Sequence, residues 1–170
     1  MDGVLVTRRP GCCETKLVEN LRYVIETTGA KIVLSTDWRR TPAARSEVKR
    51  ILNAHGGMDF IGWTTTNTPV TLNHRPIEIM QWLRDRNRKV RKEGWEPSQL
   101  VDHFVAIDDR TLLQEKCAPG TDTRSRQVCG IFHNTSGGGQ NLAGHFVNTH
   151  TARGLTRSLA EAAVKCLERK

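Results

Sequence analysis

The stretch Gly29-Ala30-Lys31-Ile32-Val33-Leu34-Ser35-Thr36-Asp37-Trp38-Arg39 contains a short apolar run that stops abruptly at hydroxyls and a carboxylate. Lys31 to Ser35 is too brief for a helix and lacks polar alternation, which is how a buried parallel strand reads. On its amino side Leu17, Leu21, Val24 and Ile25 fall on one helical face, and Gly29 stands where a helix takes a left-handed closing residue. On its carboxyl side Thr41-Pro42 offers a cap followed by proline at the first helical position. Val48, Ile51 and Leu52 give that second helix its core face, and Gly56-Gly57 ends it.

The same alternation continues outward. Phe60 to Thr64 reads as a strand; Ile77, Met80 and Leu83 open a third helix with a basic tail; Phe104 to Ile107 is another apolar run, ending in Asp108-Asp109. Residues 114–144 carry Pro119-Gly120 and Gly137-Gly138-Gly139 with few apolar positions, so they read as a long loop or surface insertion. Phe146-Val147 restores a strand, and Thr156 caps a last helix with Leu159, Ala163 and Leu167 inward. Strands alternating with helices predict an α/β fold around a mostly parallel sheet, one domain over residues 1–170.

Composition narrows the classes. With 170 residues and 37% hydrophobic content, one core is affordable and two are not expected. No apolar run reaches the ~18 residues of a membrane span, and no signal segment opens the chain, so no membrane partner is expected. Five cysteines are an odd number without a framework rhythm, which points to a reducing compartment, cytoplasmic or mitochondrial. Lys and Arg total 26 against 18 for Asp and Glu, which favours anionic partners.

In an open parallel sheet, ligands sit beyond the carboxyl ends of the strands. Ser35, Thr36 and Asp37 end one run, Asp108 and Asp109 end another, and Asp2 precedes a glycine turn at the start. Converging carboxylates and hydroxyls suit a hard divalent cation and a phosphate. The alternative is that Asp108-Asp109 merely begin a loop.

Asp2-Gly3-Val4-Leu5, Gly29 to Arg39, and Phe104-Val105-Ala106-Ile107-Asp108-Asp109-Arg110 together resemble the haloacid dehalogenase-like (HAD) superfamily. The likeness is to small cap-poor HAD domains found with nucleic-acid repair proteins; Phe146 to Thr149 and Gly154 to Thr156 extend it. The resemblance implies a Rossmannoid three-layer sandwich and a Mg²⁺-dependent phosphohydrolase working through an aspartyl-phosphate. On that likeness Asp2 is the acid/base carboxylate, Ser35 holds the phosphoryl group and Arg75 neutralises developing charge. Asp2, Asp108 and Asp109 would hold Mg²⁺. Apart from the likeness, Thr36, Asp37, Trp38 and Arg39 are candidates to face the substrate, Arg39 by forking onto a phosphate or a site carboxylate; the alternative is that Trp38 packs under the loop and Arg39 pairs with a surface acid.

The resemblance places the nucleophilic Asp two positions before Asp2, and the first central strand before that, both ahead of Met1. Burying four or five apolar residues of such a strand is worth roughly 6–15 kcal/mol, about the net stability of a whole domain. A chain without it should not fold alone in the family's manner. Three accounts remain at this level: an upstream start, a strand from a partner, or recruitment of Val4-Leu5-Val6 into the sheet.

Arg84, Arg86, Arg88, Lys89, Arg91 and Lys92 form a basic stretch flanked by Trp82 and Trp95, either a solvated helix end or a contact for RNA or an assembly partner. Cys117, Cys129 and His133 lack the pairing of a zinc site. Two functions therefore compete. One is a HAD-like pseudoenzyme, a structural or RNA-facing subunit of a larger assembly; the other is a Mg²⁺-dependent phosphomonoester phosphatase whose true start lies upstream of Met1.

Overall fold

The structure is a computed structural model that describes residues 1–7, 14–65, 75–112 and 142–168. Helices α1 (Thr15–Thr28), α2 (Pro42–Ala54), α3 (Arg75–Glu93) and α4 (Arg157–Glu168) alternate with strands β1 (Ile32–Leu34), β2 (Phe60–Trp63), β3 (Ala106–Asp108) and β4 (Phe146–Asn148). Gly29 closes α1 at φ 68°, its N–H donating to the Ile25 carbonyl. Thr41 Oγ1 accepts from Ala44 N at 3.2 Å, the cap expected ahead of Pro42.

β1 pairs with β2 and β3 pairs with β4, both in parallel, giving two short two-stranded sheets. Successive side chains on a strand point to opposite faces, and β3 uses both. Ala106 packs with Ile79 and Met80 of α3, whereas Ile107 packs on the cluster shared by α1, β4 and α4. Leu34 joins Leu17, Val18, Val48 and Leu52, which ties β1 to α1 and α2. Helices thus cover both faces, in keeping with the α/β fold that the strand–helix alternation predicts and the three-layer arrangement that the resemblance implies.

Three details depart from the sequence reading. The strand read at Phe104 to Ile107 is displaced to Ala106–Asp108, because pairing with β4 defines it; Phe104 instead stacks on His145, centroids 4.7 Å apart. Val4-Leu5-Val6 joins neither sheet: the amides of all three donate to the Met1 carbonyl at 2.8–3.1 Å, closing a tight loop. Of the segment read as an insertion, residues 114–141 lie outside the described residues, while Leu142 is buried with Ala106 and Leu112.

Between the half-sheets lies a cavity of about 960 Å³. Ile32 and Leu34 of β1 form one side, Ala106 and Ile107 of β3 the other, with Leu21 of α1 and Trp82 of α3 as floor and roof. Its polar mouth is at the carboxyl ends of the strands.

Candidate functional site

Ser35 and Thr36 leave β1 at that mouth. Thr36 Oγ1 accepts from Trp38 N and caps a single 3-10 turn, Asp37–Arg39. The turn sends its side chains in three directions. Trp38 donates through Nε1 to Asp2 Oδ2 at 3.2 Å, which fixes the N-terminal loop to the end of β1. Asp37 stays at the surface beside Arg40 (2.8 Å) and Arg75 (3.5 Å). Arg39 turns inward and is 1% exposed.

Arg39 corrects the expectation of a substrate-facing residue. Its Nη1 donates to the carbonyls of Ser35 (3.1 Å) and Thr36 (2.9 Å), and its Nη2 to Thr65 O (3.2 Å) and Glu78 Oε2 (2.6 Å). A guanidinium so placed clamps the loop after β1 onto α3, while its Nε is buried without a hydrogen-bond partner among the described residues. Burial lowers its pKa, an effect that the Glu78 charge opposes. Glu78 was not singled out by sequence; the available signal was a carboxylate one turn beyond Arg75 on a partly apolar helix face.

Arg75, at the start of α3, does reach the site. Its Nη1 lies 2.7 Å from Asp108 Oδ2, and Asp108 is itself buried at the end of β3. Burial would lower the Arg75 pKa, but the Asp108 charge and hydrogen bond outweigh it and raise the group above its ordinary value. Burial likewise acts to raise the Asp37 pKa; the Arg40 hydrogen bond and the Arg75, Arg40 and Arg39 charges prevail and hold it below its ordinary value.

Asp109 points elsewhere. Its Oδ2 accepts from Thr151 Oγ1 at 2.8 Å, and its side chain fills the space where a Cβ on Gly3 would stand. Thr149, another residue not singled out, donates its hydroxyl to Gly3 O at 2.6 Å. The first three residues are therefore held across the carboxyl ends of β1, β3 and β4. Asp2, Ser35, Thr36, Arg75 and Asp108 all line the one cavity; Asp109 and Arg39 do not. Ser35 Oγ is buried and has no hydrogen-bond partner among the described residues. Such an orphaned hydroxyl is costly unless a ligand completes it.

These motifs, in this order and on these strand ends, agree with a family comparison. A family model for the HAD domain in Swiss Army Knife RNA repair proteins matches residues 1–160. The chain belongs to this HAD family. No curated protein and no solved structure matches it.

The HAD domain's expected cation site can be tested on its side chains. Asp2 is engaged by Trp38, Asp108 by Arg75 and Asp109 by Thr151, so the three carboxylates do not converge. No group of three or more His, Cys, Asp or Glu side chains suited to a metal occurs among the described residues. As arranged here, the set expected to hold Mg²⁺ does not fit it.

The basic stretch lies on the second half of α3. Arg84, Arg88, Lys89, Arg91 and Lys92 are exposed there, with Asp85 3.3 Å from Arg88. Trp95 packs under Arg86 and Lys89 at 4.9 and 5.1 Å, whereas Trp82 faces the cavity and Gly62. Cys117, Cys129, His133 and Gly137 to Gly139 lie outside the described residues. No helix among the described residues is long and apolar enough to cross a membrane.

Proposed function

We propose that this HAD domain is a non-catalytic, RNA-facing module that takes a phosphate at the cavity mouth and the adjoining backbone along α3. Helix α3 carries the reading. Its first residue is bound to Asp108 at the cavity, and its last turns present the exposed cations. From Arg75 to Arg91 the helix rises about 24 Å, the reach of several nucleotides. Closely spaced cations suit a phosphate backbone whatever its sequence, and the net charge of +8 favours such a partner. The family's association with RNA repair points the same way. At the mouth the orphaned Ser35 hydroxyl is a donor for a phosphate oxygen, and Arg75 supplies the countercharge.

The test is fluorescence anisotropy with labelled single-stranded RNA, with and without a terminal phosphate. Binding is expected for both, tighter with the phosphate. Reversing Arg88, Lys89 and Arg91 to Glu abolishes it, while Ser35→Ala removes only the preference for the phosphorylated end. Undiminished binding by the reversed variant sinks the proposal.

One observation favours a second reading, a Mg²⁺-dependent phosphomonoester phosphatase: Asp2, Ser35, Arg75 and Asp108 share one cavity. That reading needs a nucleophilic carboxylate ahead of Asp2 and a rearrangement of the carboxylates before they could take the ion. Phosphate release from an aryl phosphomonoester, lost in Asp108→Asn, would support it. No turnover at any Mg²⁺ concentration, from a chain extended upstream, would end it.

A further inference from the structure

Ser35 shares its condition with a second hydroxyl. Thr64, one residue past β2, is 2% exposed, and its Oγ1 has no hydrogen-bond partner among the described residues. Both residues line the cavity. The strand register brings them side by side. Leu34 of β1 stands level with Trp63 of β2, and Thr64 N donates to Leu34 O at 2.9 Å. One step further along the two chains, Ser35 stands level with Thr64.

Alternation sets the face on which both side chains lie. Leu34 packs with Val48 and Leu52 of α2, and the guanidinium of Arg45, on the same helix, lies 4.3 Å from the Trp63 ring. Ser35 and Thr64 therefore turn to the opposite face, towards α3. Gly62 belongs to that face as well, and a Cβ on it would meet the Trp82 indole of α3 at 3.5 Å. Neighbouring strands lie ~4.8 Å apart. Two hydroxyls at about that separation, not bonded to each other, can both donate to one group set between them, at ~2.7 Å each. Arg39 holds the spacing, because its guanidinium donates to Ser35 O after β1 and to Thr65 O after β2.

We infer that Thr64 is a second phosphate-binding residue, and that its hydroxyl and that of Ser35 together make the cavity mouth selective for a phosphomonoester end. The inference rests on the reading of the mouth as a phosphate site. The carboxylates at the mouth are engaged, Asp2 by Trp38 and Asp108 by Arg75, whereas both hydroxyls are unspent and each can donate. Unspent donors beside engaged carboxylates suit an anion. A phosphoryl group offers several oxygens on one centre, so two of them can each take one hydroxyl. Burial then selects the ester. An occupant must pass the rim to reach a side chain as covered as Thr64, and a terminal phosphate brings a chain on one side only. A phosphodiester would carry nucleotides in on both sides. The monoester also bears close to two charges at neutral pH, which strengthens each hydrogen bond it accepts.

The experiment uses fluorescence anisotropy with single-stranded RNA, unphosphorylated or carrying a phosphate at the 5′ or the 3′ end. Thr64→Val keeps the branched shape and removes the hydroxyl; Thr64→Ser keeps the hydroxyl. The parent is expected to prefer a phosphorylated end, and Thr64→Val to lower that preference about tenfold, the loss of one hydrogen bond to a charged group. Its affinity for unphosphorylated RNA stays at the parent's value, and Thr64→Ser keeps most of the preference. Amide shifts in the parent on titration with inorganic phosphate give a second readout that needs no variant, and Thr64 and Ser35 are expected to move together. A parent without any preference overturns this inference and the phosphate reading of the mouth alike. If the parent prefers the phosphorylated end, the phosphate reading survives and three outcomes overturn the role of Thr64 alone. These are a Thr64→Val protein that keeps the preference, a Thr64→Ser protein that loses as much as Thr64→Val, and a titration in which Ser35 moves without Thr64.

Discussion

The Arg39 guanidinium stands 2.6 Å from the Glu78 carboxylate, with side-chain exposures of 1% and 5%. The pair joins the loop that leaves β1 to the first turn of α3, so one buried contact sets the distance between two walls of the cavity. Desolvating both charges is expensive, and their attraction repays it only while both are present.

Removing one partner is therefore expected to be severe. Arg39→Met takes from the buried Glu78 the guanidinium 2.6 Å away and costs about 3–5 kcal/mol. The double variant Arg39→Met/Glu78→Leu removes the stranded charge and recovers most of that loss. Urea unfolding of the four proteins measures the coupling. A double variant no more stable than Arg39→Met would show that the pair does not act as a unit.

Ser35 tests stability against ligand binding. Its buried Oγ has no hydrogen-bond partner among the described residues, which is a liability unless a ligand supplies one. Ser35→Ala should leave stability unchanged or raise it by up to about 1 kcal/mol. The same change should weaken inorganic phosphate binding about tenfold, since a hydrogen bond to a charged group is lost. Calorimetric titration with phosphate beside a thermal melt separates the two effects. A destabilised Ser35→Ala protein would mean the hydroxyl has a structural partner.

Much of the architecture was legible because it rests on local rules. Gly29, Thr41-Pro42 and the apolar periodicity of α1 and α2 announce those helices within a few residues of where they lie. The inward turn of Arg39 was not legible, since its partner is 39 positions away and no local pattern pairs the two. Val4-Leu5-Val6 looks like a strand by composition. Its fate is settled by Gly3 at φ 66° and by one carbonyl accepting three amides, a turn that β-branched residues do not advertise. Arg75 could be placed only through the family likeness, whereas its bond to Asp108 is a property of the packed chain.

Gly3 and Gly29 form a matched pair of left-handed glycines, at φ 66° and 68°. A Cβ on Gly29 meets nothing within 4 Å, whereas one on Gly3 runs into the Asp109 side chain. Gly29→Ala should cost about 1–2 kcal/mol, the price of the conformation alone. Gly3→Ala should cost at least ~1 kcal/mol more, because Asp109 must move and surrender its bond to Thr151. Equal losses in denaturant melts would show that Asp109 moves aside freely.

Asp37 gives the acid limb of stability a predictable sign. Its folded pKa lies below the ordinary 3.8, so the unfolded chain takes up the proton first as pH falls. The contribution is fully present above the unfolded value and is lost as pH drops through the folded one. With 47% of the side chain exposed, the contacts are screened and worth at most about 1 kcal/mol. Asp37→Asn should be less stable than the parent at pH 6, and the gap should close as the pH falls below the ordinary carboxylate value of 3.8. A gap that persists in acid would assign the loss to something other than the charge.

The α3 surface makes its prediction through salt. Each cation that neutralises a phosphate of single-stranded RNA releases condensed counter-ions, contributing about −0.7 to the slope of log K against log salt. Arg88, Lys89, Arg91 and Lys92 are exposed on consecutive turns, so a strand lying along the helix can meet several of them. Changing Arg91 and Lys92 to Gln should flatten that slope by about 1.4 if both touch phosphates. The helix should survive, because Gln is nearly as good a helix former as Arg and Lys. Lys16 and Lys31 are also exposed but lie outside α3, and converting them to Gln is the control for net charge alone. If both double variants flatten the slope equally, the attraction belongs to the whole basic chain; only a change confined to the α3 pair assigns the RNA path to this helix.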